Sequence, residues 1–108
     1  MIAIQIVPKT GQDAYKLLRD KVTHEARTWS WSNKAKTRLV HKRSTSGYIE
    51  VTDAEGILLA RIISDNSRPY FLLERFVGRL VAWFQDRLFA INIQFMPDLR
   101  KDNRNSNT

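Results

Sequence analysis

Few residues in this chain are of types that carry out covalent or redox chemistry. There is no cysteine, which excludes a thiol nucleophile, a disulfide and thiolate metal ligands. Of the two histidines, His24 falls in an amphipathic, helix-like segment and His41 in a strand-like one. The pair His24–Glu25 lacks the second histidine, one helical turn away, that a zinc-binding helix needs. Gly11, Gly47, Gly56 and Gly78 stand singly, so no glycine-rich loop exists to cradle a phosphate. Asp53 and Glu55 sit in a turn-like stretch where acidic residues are expected anyway. These residues predict a protein that is not an enzyme, with no cofactor and no metal.

The chemistry that is concentrated is electrostatic. The stretch RTWSWSNKAKTRLVHKR, residues 27–43, holds two tryptophans, six Lys or Arg and one histidine, with no acidic residue. Net charge is +7 and the pI about 10.1. Lys34, Lys36, Arg38, Lys42 and Arg43 supply +5 within residues 34–43, and the tail 100–108 supplies +2 through Arg100, Lys101 and Arg104 against Asp102. The rest of the chain is balanced, with ten basic and ten acidic side chains. A local excess of this kind creates a field that an anionic partner feels.

Read as a strand over 35–43, this run alternates. Lys36, Arg38, Val40 and Lys42 share a face with Lys34, while Ala35, Thr37, Leu39, His41 and Arg43 share the other, with Leu39 toward the core. The next strand repeats the pattern, with Ile49 and Val51 inward and Tyr48, Glu50 and Thr52 outward. A basic sheet face with an aromatic on it can hold phosphates and stack a base. Trp29 and Trp31 precede the basic run and can stack bases at roughly 1–3 kcal/mol each. The candidate nucleic-acid-binding set is therefore Lys34, Lys36, Arg38, Lys42, Arg43, Tyr48, Trp29 and Trp31, with RNA or DNA, single strands in particular, as partner. The competing explanation makes the run a solvated strand whose cations discourage aggregation and makes the tryptophans core residues. A second class of partner is another protein or a second copy of the chain, offered apolar surface by Tyr70, Phe89, Phe95 and Met96.

These side chains need a scaffold, and the periodicities predict one. Ile2, Ile4 and Ile6 alternate with polar or small residues and predict a first strand ending at Pro8. Thr10 with Asp13 three residues on suggests a capping-box start for a helix reaching about Ala26, with Ala14, Leu18 and Val22 inward. Residues 27–34 lack a period and read as a connector. Strands follow over 35–43, from Gly47, and over ILLARIIS, the last two joined by a DAEG turn. The continuous apolarity of ILLARIIS predicts a central position. Ser67 and Pro69 suit the start of a second helix reaching about Arg87, with Leu73, Phe76, Val77, Leu80, Phe84 and Leu88 as its stripe. Gly78 lowers helix propensity inside it by about 1 kcal/mol and is expected to mark a close backbone approach. FAINIQFMP alternates as a last strand, and 98–108 reads as a disordered polar tail.

The order β-α-β-β-β-α-β predicts one α+β domain over residues 1–97, a two-layer sandwich of a mostly antiparallel sheet with two helices on one face. With the 35–43 strand set aside, β-α-β-β-α-β remains, which resembles the split, ferredoxin-like order. Residues 13–87 alone resemble double-stranded-RNA-binding domains in element order, α-β-β-β-α. The loop and helix-start motifs of those domains have no counterpart here, and the chain is assigned to no family. No window approaches the roughly 18 apolar residues of a membrane span, and MIAIQIVPK lacks the basic region of a secretory signal. A cytoplasmic location without membrane contact is the expectation.

Overall fold

A computed structural model describes residues 1–43, 47–64 and 69–97. In chain order the elements are β1 (Ile2–Pro8), α1 (Ala14–His24), β2 (Trp29–Trp31), β3 (Arg38–His41), β4 (Gly47–Ala54), β5 (Ile57–Ser64), α2 (Tyr70–Phe84) and β6 (Leu88–Phe95). The strands form one antiparallel sheet in the order β2-β3-β4-β5-β1-β6. This is an α+β fold, and β5 lies in the interior of the sheet, as its apolar run predicts.

The strand order follows from two interleaved β-α-β units. β1 and β4 are both antiparallel to β5 and flank it, so they run parallel to each other with β5 between them. β5 and β6 flank β1 in the same way. This is the split arrangement that remains when residues 27–43 are set aside. It rules out the α-β-β-β-α reading of 13–87, because β1 is an interior strand of the sheet and not an addition to it.

Cross-strand register places Ile4 opposite Ala60, Ile6 opposite Leu58, Val51 opposite Ala60 and Ile49 opposite both Ile62 and Leu39. All are buried, and they share one hydrophobic cluster with Ala14, Leu18 and Val22 of α1 and Leu72, Leu73, Phe76, Leu80 and Phe84 of α2. Each Val, Leu, Ile or Phe side chain among them contributes about 1.5–3 kcal/mol when fully buried. The alternate face of the central strands carries Gln5, Thr52, Leu59 and Arg61, all exposed. At the β4–β5 hairpin Ala54 pairs with Ile57, leaving Glu55 and Gly56 as a two-residue loop with φ of 55° and 93°. Two positive φ values are the mirror-image turn geometry that matches strand twist.

The structure departs from the sequence-based expectations at several places in the scaffold. α2 ends at Phe84, so Leu88 opens β6 and is not part of the helix stripe. The connector 27–34 contains a strand, since Trp29–Trp31 pairs with β3. The N-cap of α1 is Asp13, whose Oδ1 accepts from the Lys16 N–H at 3.0 Å, and not Thr10. Gly78 is exposed, and a Cβ there would meet nothing within 4 Å, so it marks no close approach. The close approach belongs to Gly47, where a Cβ would collide with the Ile63 carbonyl. The proposed cap Ser67 and the tail 98–108 lie outside the described residues.

Candidate anion-binding surface

The basic run forms not one long strand but a hairpin, β2–β3, added at the β4 edge of the sheet. Asn33 is the reason the strand is interrupted. Its Oδ1 accepts from the backbone N–H groups of Thr37 (3.0 Å) and Arg38 (3.1 Å), and its Nδ2 donates to Thr37 Oγ1 at 2.7 Å. A local side-chain cap of this kind competes with ladder pairing. The Lys36 N–H returns to the Asn33 carbonyl at 3.2 Å, and Lys36 takes φ 56°. The Tyr15 hydroxyl of α1 donates to the Lys36 carbonyl at 3.0 Å and ties the turn to the helix.

Lys34 and Lys36 therefore sit in the hairpin turn, and not on the sheet face where strict alternation puts them. Arg38 does lie on the open face, opposite Glu50 and diagonal to Tyr48, with its guanidinium carbon 5.0 Å from the Tyr48 ring centroid. Glu50 lies opposite Arg61 as well, and its carboxylate pairs with the Arg61 guanidinium. Lys42 is exposed one residue beyond β3, where its N–H still reaches the Thr28 carbonyl at 2.8 Å. Arg43 is exposed and shares a cleft with α2.

The tryptophans divide. Trp29 is 2% exposed, edge-on to Phe76 with centroids 6.0 Å apart, and cannot present a face to a base. Its membership in the binding surface as a stacking platform is corrected: it belongs to the core. Trp31 is half-buried against α1, its indole N–H directed at the Arg19 carbonyl at 3.5 Å, so neither ring is a free platform. Tyr48 is the aromatic that the structure leaves beside a cation on the open face.

His41 faces inward at 7% exposure. Its Nδ1 accepts the Arg43 N–H at 3.2 Å, so the proton of the neutral ring sits on Nε2. Burial, then the guanidinium charges of Arg75, Arg43 and Arg79, lower its pKa below the usual histidine value. Arg75 and Arg79 stand outside the apolar stripe of α2, and sequence reasoning missed their part here. The signal was their i,i+4 spacing, which places them on one face of the helix.

Among the described residues no group of three His, Asp or Glu side chains is placed to hold a metal, and no helix is long and apolar enough to cross a membrane. Comparison of the chain with protein families, with curated protein sequences and with solved structures gives no match in any of the three.

Proposed function

We propose that the chain is a small non-enzymatic module that binds single-stranded nucleic acid, RNA or DNA, at the β2–β3 hairpin. The observation that carries this reading is that Lys34, Lys36, Arg38, Lys42 and Arg43 make no ion pair among the described residues, whereas Glu50, the carboxylate opposite Arg38, is taken by Arg61. Unneutralised cations concentrated on one hairpin attract a phosphate backbone. The Arg38–Tyr48 stack beside them offers planar groups on which a base can lie. The test is anisotropy of a labelled single strand at about 50 mM salt. Wild-type protein should bind, and a variant carrying Lys34→Gln, Lys36→Gln and Arg38→Gln should lose most of the affinity while its thermal midpoint stays put. Wild-type protein that leaves the strand free at that salt would overturn the reading.

A second reading, self-association, is favoured by β6. It is an edge strand of eight residues without a charge, and Phe89 and Phe95 on it are 76% and 71% exposed. Long uncharged edges are what proteins ordinarily blunt. A sedimentation mass of two chains that returns to one in Ile93→Lys would support this reading, and a monomeric wild-type mass would remove it.

A further inference from the structure

On the helix side of the same hairpin, α2 and the end of β3 enclose a cleft of about 510 Å³. Arg43, Arg75 and Arg79 reach it, His41 and Trp29 floor it, and Phe71 lines it. Among the described residues Glu74 is the one acidic side chain on its walls, so three guanidinium charges there face one carboxylate. Among the described residues none of these three arginines is in an ion pair. The Arg75 guanidinium lies over the Phe71 ring at 5.1 Å, and Gly78, between Arg75 and Arg79 on α2, puts no side chain into the cleft.

We propose that this cleft binds a phosphate monoester carried on a nucleoside. Three convergent guanidinium groups match a phosphate dianion, which they can hold through paired N–H donors. A volume of this size lies in the range of small-molecule sites and exceeds what a bare phosphate fills. The remaining space is walled by the Arg75 guanidinium where it lies over Phe71, and a purine can stack on the outer face of that guanidinium. With its pKa lowered below the usual histidine value, His41 is neutral at pH 7, and its Nε2 proton is a further donor on the cleft floor. The phosphate can arrive free, as a mononucleotide, or as the 5′ end of a strand.

Calorimetry with adenosine 5′-monophosphate tests the site directly. Binding with one-to-one stoichiometry is expected, with inorganic phosphate competing and adenosine alone far weaker. Arg75→Gln and Arg79→Gln, both on the exposed side of α2, should each weaken binding roughly tenfold with the thermal midpoint unchanged. The hairpin variant with glutamine at positions 34, 36 and 38 should bind the mononucleotide as wild type does, so failure of the strand-binding reading leaves this result standing. A single strand with a 5′-phosphate that binds better than its 5′-hydroxyl counterpart assigns the source to strand ends; equal binding of the two assigns it to the free nucleotide. Equal affinity for adenosine and its monophosphate, no saturable heat at about 1 mM ligand, or arginine variants that bind as wild type would each overturn the proposal.

Discussion

Trp29 and His41 face each other across the β2–β3 hairpin, paired in register with their ring centroids 4.8 Å apart and nearly perpendicular. His41 in turn meets Phe71 edge-on at 6.0 Å, which links the added hairpin to α2 through a row of aromatic contacts. The hairpin is thus anchored in the core through its inward side chains, and its cations are displayed by an element that cannot swing freely.

Trp29→Ala should therefore cost about 3–5 kcal/mol, the usual range for emptying a large aromatic site. Trp31→Ala should cost distinctly less, because that ring is only half-buried. Urea midpoints of the two variants check the difference. A small loss at Trp29 would mean that the hairpin is dispensable to the core.

His41 sets a pH dependence whose sign follows from its lowered pKa. Below the ordinary histidine value of 6.5, the unfolded chain takes up a proton at this ring that the folded chain resists. Stability contributed here is intact above 6.5 and is lost as the pH falls from 6.5 to the folded-state pKa. Burial of the ring, then the charges of Arg75, Arg43 and Arg79, enforce this, with Glu74 the opposing charge among the described residues of the cleft. Urea midpoints measured between about pH 7.5 and 5 should fall on acidification, and His41→Gln should flatten part of that fall. Parallel slopes in the two proteins would refute the assignment.

The two glycines should respond in opposite senses. Gly78→Ala gains helix propensity and meets open space, so a stabilisation of about 0.5–1 kcal/mol is expected. Gly47 has φ 141° and its missing Cβ faces the Ile63 carbonyl, so Gly47→Ala should destabilise by at least about 1–3 kcal/mol. Thermal melts of both variants decide the matter, and a destabilised Gly78→Ala would restore the close-packing expectation.

The scaffold was legible wherever a period was strong. Ile2, Ile4 and Ile6, the Ala14–Leu18–Val22 stripe and Leu73, Phe76, Leu80 and Phe84 of α2 all point inward as their spacing predicts, while Val77 is half-buried and Leu88 lies in β6, beyond the end of the helix. The hairpin was not, because its two halves carry too few residues to show a period: β2 has three and β3 four. Its turn rests on the side chain of Asn33, whose bonds to Thr37 and Arg38 are contacts that alternation does not register. The face shared by Arg38, Tyr48 and Glu50 was readable because β4 is long enough to alternate. The convergence of Arg43 with Arg75 and Arg79 was not, since it joins segments that meet only when α2 packs on the sheet.

Salt dependence gives the sharpest measure of the hairpin. Each phosphate neutralised on a single strand contributes about −0.7 to the slope of log affinity against log salt. Lys34 and Lys36 in the turn and Arg38 at the start of β3 lie within five residues of one another, close enough to serve one stretch of backbone. Three contacts predict a slope near −2, or roughly a fifteenfold to twentyfold loss of affinity between about 50 and 200 mM salt. Removing one of these cations should bring the slope to about −1.4, and should weaken all base sequences alike, because phosphate contacts carry no sequence information. Tyr48→Leu should act differently: it removes the ring under Arg38 and should lower affinity without changing the slope, since no charge is lost. A slope near zero in the wild-type protein, or one that Arg38→Gln leaves unchanged, would mean that these cations are only solvated side chains on an edge hairpin.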